Sequence, residues 1–274
     1  MTNFSVLISI YKNEKAEYLK EAIESIYKQT VLFNELVIVK DGPLTSELEK
    51  ILNELADKHD NVKFVELKEN KGLGLALREG VNACSNEWIA RMDTDDVAKI
   101  NRFEKQIKYL EKNPDISLLG TCVEEFSNDI KNPETKTILP IAHDEIIKFA
   151  KKRNPFRHMT VMFKKSAVLE SGNYRDFLWF EDYDLWVRII NKGFKVANLP
   201  DILVSVRADK NMFARRGGWK YLKQDIKFQK ELFDFKLINY KEFILNILIR
   251  GIVRILPNNI RVKIYEIGLR NKIK

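Results

Sequence analysis

The first half of the chain alternates short β-branched runs with helix-periodic stretches, and that alternation admits few folds. Strands that pair in parallel need a crossover of a dozen or more residues, usually a helix, so the pattern predicts an α/β fold with a mostly parallel sheet flanked by helices. Predicted strands cover residues 5–10, 35–39, 62–67, 87–92 and 116–124, and predicted helices 16–27, 46–58, 74–84 and 102–113, the last stopped by Asn113-Pro114. Beyond Glu124 the alternation decays. Residues 127–137 read as a loop, followed by a mixed region with helices over 144–151, 165–170 and 182–191 and a strand over 195–206. No fixed-period repeat is visible.

At 274 residues the chain is long enough to bury a sizeable core without staples. Its only cysteines are Cys84 and Cys122, and its three histidines are scattered, which excludes a disulfide framework or a cysteine zinc site and predicts a reduced, cytoplasmic protein. The amino terminus reads as a first strand and not as a signal peptide. The net charge of +8 is unevenly spread, with 15 Lys and Arg against 5 Asp and Glu in residues 211–274 and a slight acidic excess before them. That tail includes a nearly continuous apolar run, residues 243–256, which Arg250 and Arg254 interrupt, so it is too broken to span a bilayer. A second basic, helix-like stretch, with Ile260, Ile264 and Ile267 among Arg261, Lys263, Arg270 and Lys272, follows Pro257. Two readings stand: a surface-lying element on an anionic membrane, or a helical cap packed on the domain before it. The domain boundary is placed at 210/211, with a further division of the first part at 125/126.

In an open parallel sheet the ligand sits beyond the carboxyl ends of the strands, so the polar residues there are the candidates. After the second strand comes Asp41-Gly42-Pro43, a carboxylate that by itself reads first as a capping or turn aspartate and alternatively as an acceptor for a base or ribose. After the third comes Asn70-Lys71-Gly72-Leu73-Gly74, a glycine-rich entry to a helix of the kind that cradles anions. It is neither a dinucleotide fingerprint nor a phosphate loop of nucleoside triphosphatases. The strongest signal follows the fourth strand, where Asp93-Thr94-Asp95-Asp96 crowds three carboxylates into four residues. Such crowding is costly without a cation, and Mg²⁺ or Mn²⁺ bound through one or two carboxylates plus substrate phosphate answers it.

A second acidic cluster, Glu181-Asp182-Tyr183-Asp184, precedes Leu185-Trp186. Helical spacing sets Asp182 beside Trp186, so an acid able to take a proton from a hydroxyl lies next to an aromatic face suited to a sugar ring; a helix-capping Asp182 is the plainer alternative. His158 lies on a short apolar stretch, where a histidine is either structural or functional.

Taken together, these residues resemble the family 2 glycosyltransferases with the GT-A fold, over about residues 3–210. The resemblance rests on Ser5-Val6-Leu7-Ile8-Ser9-Ile10-Tyr11, Gln29-Thr30, Asp41-Gly42, Asn70-Lys71-Gly72, Asp93-Thr94-Asp95-Asp96, and Glu181-Asp182 ahead of Leu185-Trp186. Lys40 and Pro43 depart from it, since the family often carries a second acid before Asp41 and a serine after Gly42. The stretches around Asp41 and His158 further resemble bacterial O-antigen, capsule and amylovoran-type exopolysaccharide enzymes, some of which add galactose in β-1,3 linkage to lipid-diphosphate-linked GlcNAc. The resemblance implies that Ser9 and Asp41 hold the uridine of a UDP-sugar, with Lys71 near the base or phosphates. It implies that Asp93 contacts the ribose, that Asp95, with Asp96 sharing the role, holds Mn²⁺ or Mg²⁺, and that Asp182 is the general base of an inverting displacement. His158, Glu181 and Trp186 are then expected on the acceptor side. The implied partners are a UDP-sugar, a lipid-diphosphate-linked sugar and the inner face of an anionic membrane.

Two other classes compete. A sugar nucleotidyltransferase would need a glycine-rich basic loop after the first strand, where Tyr11-Lys12-Asn13-Glu14 stands instead. A nucleic-acid binder using the basic tail is disfavoured, because the tail is strongly apolar and carries no recognition motif, so no nucleic-acid partner is expected.

Overall fold

Each strand and helix expected up to Glu124 is present, with one short strand, over 97–98, that was not expected. A computed structural model describes residues 2–208, 217–256 and 271–272. Strand β1 (Phe4–Ile10) leads into α1 (Ala16–Tyr27), β2 (Glu35–Lys40), α2 (Ser46–Lys58), β3 (Val62–Glu66), α3 (Leu73–Ala83) and β4 (Trp88–Arg91). These four strands pair in parallel in the order β4-β1-β2-β3. Successive side chains of a strand face opposite ways, and both faces of this sheet are covered. Val6, Ile8, Leu36 and Ile38 therefore join one core with Leu19 of α1, Leu52 of α2 and Phe103, while Leu7, Val37 and Val39 join the other with Leu77 of α3 and Trp186.

The second half is mixed, as expected, but contains strands that the sequence pattern did not predict. After β5 (Val97–Ala98) and α4 (Arg102–Lys112), the long β6 (Ile116–Phe126) is followed by β7 (Thr135–Thr137), which pairs with it antiparallel inside the segment expected to be all loop. Next come α5 (His143–Ala150), β8 (Met162–Lys164), α6 (Lys165–Glu170), α7 (Glu181–Asn191) and β9 (Lys195–Arg207). β8 inserts antiparallel between β4 and β6, and β9 runs parallel to β6. Strands of two or three residues are too short to display a period; only their long-range pairing creates them.

Helices α8 (Trp219–Asp234) and α9 (Tyr240–Ile255) follow, and β10 (Asn271–Lys272) adds antiparallel to β7. The boundary expected at 210/211 and most of the helix-like stretch expected over 260–272 lie outside the described residues, and the described end of that stretch, Asn271–Lys272, is strand and not helix. The α8/α9 pair packs on the preceding domain through Phe228, whose ring centroid lies 4.3 Å from Tyr183, 5.0 Å from Phe180 and 5.9 Å from Phe177. Arg250 and Arg254, the charges that interrupt the apolar run, turn inward onto the fully buried Asp225 at 2.8 and 3.0 Å. Their inward turn leaves Leu245, Leu248, Ile249 and Ile252 exposed, the last two at 55% and 63%. Both expected readings of the tail thus have a face: one side of α9 is packed, the other is apolar and open.

Candidate active site

The register of the parallel strands brings three chain segments to one edge. The amide of Asp41 donates to the carbonyl of Ile10 at 2.8 Å, and that of Met92 to the carbonyl of Leu7 at 3.1 Å, so the ends of β1, β2 and β4 lie side by side. Ser9, on β1, is half-buried there. Asp41 is buried and organises the loop ahead of α3. Its Oδ1 accepts from the Lys71 amide at 2.7 Å, and its Oδ2 accepts from the Gly72 amide at 3.1 Å and from Asn70 Nδ2 at 2.9 Å. Gly42, with φ of 85°, lets this approach occur, because a Cβ there would stand 2.7 Å from the Asn70 nitrogen. The Lys71 side chain remains exposed. Lys40, the departure from the family pattern, is held by Glu49 at 2.7 Å and Glu66 at 2.9 Å, so its charge is met within the fold.

Beyond β4, Asp93, Asp95 and Asp96 each offer a carboxylate oxygen, all within 4.8 Å of one another. Asp93 pairs with Arg91, which is almost fully buried. Asp96 accepts the Arg207 amide on Oδ1 at 2.9 Å, while its buried Oδ2 has no hydrogen-bond partner. Burial first, then repulsion from Asp93, pushes Asp95 up to about 6; the same causes, with Asp95 added, push Asp96 well above the ordinary range. An all-oxygen, over-crowded carboxylate set with an orphaned buried oxygen suits a hard divalent cation.

Two members of this cluster escaped the sequence reading. Glu14, from the loop after β1, is pushed up to about 7 by burial and by Asp95 and Asp93, with a Thr94 hydrogen bond opposing the shift. Arg207, at the end of β9, adds a contact from its Nε to the Asp95 carbonyl at 3.3 Å, pairs with Glu21 and stacks over Tyr18 and Phe126. The segment containing Glu14 stood out only for lacking a phosphate loop, and Arg207 stands 111 residues from Asp96.

Asp96→Asn is expected to stabilise the metal-free protein, increasingly so as pH rises. The unfolded acid ionises from its ordinary 3.8 upward while the folded one resists, so wild-type stability falls above that value by up to about 1.4 kcal/mol per pH unit until the folded group also ionises. Asparagine does not titrate, and its Oδ1 can still accept the Arg207 amide. Thermal midpoints in EDTA should nearly coincide at about pH 4 and separate at about pH 8, by about 2–4 °C for each kcal/mol. Parallel curves across that range would show that Asp96 is not a strained acid.

Across Arg91 lies the second acidic pair. Glu181 and Asp182 are the first residues of α7, whose N-cap is Phe180, so Asp182 does not occupy the capping position. Asp182 Oδ2 accepts from Asn154 Nδ2 at 2.6 Å. Glu181 is pushed up to about 7 by burial and by Asp182; Asp93 adds to this and Arg91 opposes it, so the two acidic clusters sense one another. Gly74 lets α3 meet this segment, because a Cβ there would stand 2.4 Å from the Arg175 carbonyl oxygen and 3.2 Å from Glu181 Cβ.

Two acceptor-side expectations are corrected. Trp186 is fully buried among Phe156, His158, Phe163 and Tyr174 and offers no shelf, because α7 is enclosed by core from Tyr183 to Ile190. His158 is buried too, bonded through Nε2 to the Tyr174 hydroxyl at 2.9 Å, and desolvation with the nearby Arg91 keeps its pKa well below the usual value. The exposed aromatic beside the acidic pair is Trp179, held at φ of 68° and stacked on Tyr221 at 4.9 Å.

Comparison with known proteins places this geometry. The sequence profile described as "Glycosyl transferase family 2" matches residues 5–172. The amylovoran biosynthesis glycosyltransferase AmsE of Erwinia amylovora is 41% identical, the match covering 96% of this chain and 98% of that protein. The UDP-Gal:alpha-D-GlcNAc-diphosphoundecaprenol beta-1,3-galactosyltransferase of Escherichia coli is 38% identical over 97% of this chain and 96% of that protein. Among solved structures, a TarS fragment from S. aureus in complex with UDP-GlcNAc superposes with a TM-score of 0.69 at 14% identity, covering 97% of this chain and 76% of that one. The mannosyltransferase PcManGT of Pyrobaculum calidifontis, in complex with GDP-Man and Mn2+, does so with a TM-score of 0.64 at 16% identity, covering 95% and 72%. With that profile over more than half its length, full-length relatives of this kind and a GT-A architecture, the chain belongs to glycosyl transferase family 2 and is a glycosyltransferase.

Proposed function

We propose that the protein is an inverting, metal-dependent transferase that moves a hexose from a UDP-sugar onto a lipid-diphosphate-linked sugar in bacterial surface polysaccharide assembly. UDP-galactose and a β-1,3 linkage are the favoured donor and product. The observation that carries this reading is the meeting of the Asp93-Asp95-Asp96 cluster with the Glu181-Asp182 pair across Arg91, supported by the full-length relatives whose names record amylovoran and diphosphoundecaprenol-linked chemistry. Asp95 and Asp96 would hold Mn²⁺ or Mg²⁺, which when bound neutralises charge on a departing diphosphate. Asp93 would face the ribose, with Ser9 and the loop organised by Asp41, including Lys71, on the nucleotide. Asp182, oriented by Asn154, would take the proton from the acceptor hydroxyl as it attacks the anomeric carbon from the face opposite the leaving group.

The protein is further proposed to work on the inner face of the cell membrane as a peripheral enzyme. Among the described residues no helix is long and apolar enough to cross a membrane, and α9 presents its apolar outer side instead.

Transfer from a panel of UDP-sugars onto a synthetic GlcNAc diphosphate with an alkyl tail tests the reading. UDP-galactose is expected to give by far the fastest transfer, with a β-anomeric product. Preference for another nucleotide, or retention of anomeric configuration, would overturn it.

A further inference from the structure

We infer that Lys152 and Arg153 form a subsite for the diphosphate of a membrane-embedded lipid acceptor, set between the apolar outer side of α9 and Asp182. The inference rests on the proposed acceptor class and deepens it. Residues 151–154 form a short bridge anchored at both ends. At one end the Lys151 carbonyl accepts from Asn246 Nδ2 at 3.0 Å, and the Lys152 carbonyl accepts from Arg250 Nη2 at 2.6 Å, which ties the bridge to the middle of α9. At the other end Asn154 Nδ2 donates to Asp182 Oδ2 at 2.6 Å, and Asn154 Oδ1 accepts from the Phe156 amide at 3.2 Å.

The chemistry changes along that bridge. On α9, Leu245 and Ile249 each stand one residue before the anchoring Asn246 and Arg250, about 100° round the helix, so the exposed apolar stripe adjoins the anchoring face. Glu242 of α9 pairs with Lys151 at 3.3 Å and its carboxylate also feels the charge of Lys152. Lys152 and Arg153 carry exposed side chains. From Lys152 to Asn154 the backbone spans at most about 7 Å, so the two cations lie within a side chain's reach of the group that orients Asp182. A ligand that is apolar at one end, dianionic or more in the middle and a sugar at the far end matches this order of surfaces. A free nucleotide does not, since it has nothing to place on α9. Arginine and lysine are the side chains suited to a diphosphate, the first by its planar fork and the second as a point charge.

The test is flotation of the full-length protein on three sets of vesicles: phosphatidylcholine alone, phosphatidylcholine with a polyisoprenyl diphosphate, and phosphatidylcholine with phosphatidylglycerol at matched charge. The wild-type protein is expected to bind the diphosphate vesicles at least about tenfold more tightly than the charge-matched ones, a ratio worth about 1.4 kcal/mol. The K152E/R153E variant should lose that preference. L248E/I252E, altered on the exposed stripe alone, should lose binding to all three. Equal binding of wild-type protein to diphosphate and phosphatidylglycerol vesicles, or an unchanged preference in K152E/R153E, would overturn the subsite. Thermal stabilisation by UDP with Mn²⁺, measured on the same samples, reports on the donor side separately, so its loss or absence in the wild type would count against the donor reading and not against this one.

Discussion

Asp182→Asn is expected to lower the turnover of sugar transfer by about 10²–10⁴-fold while leaving donor affinity nearly unchanged, the scale on which a positioned general base contributes. Asparagine preserves the size of the side chain and removes its basicity. The position argues against a structural origin for such a loss, since Phe180 and not Asp182 stands at the N-cap of α7, and the bond that Asp182 Oδ1 accepts from the Tyr183 amide at 2.6 Å can be kept by an asparagine Oδ1. The Asn154 contact adds a second comparison: Asn154→Ala removes the group that orients the carboxylate and keeps the base, so its loss should be the smaller. Transfer rate and UDP-sugar affinity are measured together. A fall of less than about tenfold with donor affinity intact would remove Asp182 as the base. Glu181 is then the alternative, with its carboxyl pushed up to about 7 by burial and by Asp182 itself.

Asp95→Ala should abolish metal-dependent UDP binding and reduce transfer by about 10²–10³-fold or more, the scale seen when a charge-stabilising group is deleted from an active site. The fold should survive, because the substitution takes one charge out of a cluster whose members repel one another. In calorimetric titrations with UDP, the wild type should show an affinity that rises with Mn²⁺, and the variant an affinity that does not respond to it. An unchanged response to Mn²⁺ in Asp95→Ala would take Asp95 out of the metal site. Asp96, whose amide partner Arg207 comes from the far strand β9, would then remain with Asp93 as the candidate pair.

Lys40 shows how a family departure is absorbed. A cation at this position, where the resemblance implies an acid, would put unmatched charge beside Asp41, yet Glu49 on α2 and Glu66 on β3 close around its ammonium. The loop from Asn70 to Gly72 still closes on Asp41, by hydrogen bonds that do not involve the neighbouring side chain.

What the sequence by itself determined is what depends on neighbours in the chain. The order of strands and helices in the first half follows from period and capping; the Asp93–Asp96 cluster and the Glu181-Asp182 pair are legible because their crowding is local. The tertiary structure alone decided which way each side chain turned and what came to meet it. Trp186 went into the core because α7 is enclosed from Tyr183 to Ile190, and His158, from the turn before β8, packs against Trp186 and bonds to Tyr174 there. Arg250 and Arg254 turned inward because Asp225 of the partner helix is buried beneath them, which is also why the outer side of α9 is free of the charges that interrupt it in sequence. Glu14 and Arg207 reached the acidic cluster through strand ends brought side by side by pairing register. A local pattern records propensity and charge density, whereas burial and partnership are set by contacts between residues tens to hundreds of positions apart, and a single sequence carries no periodic trace of those.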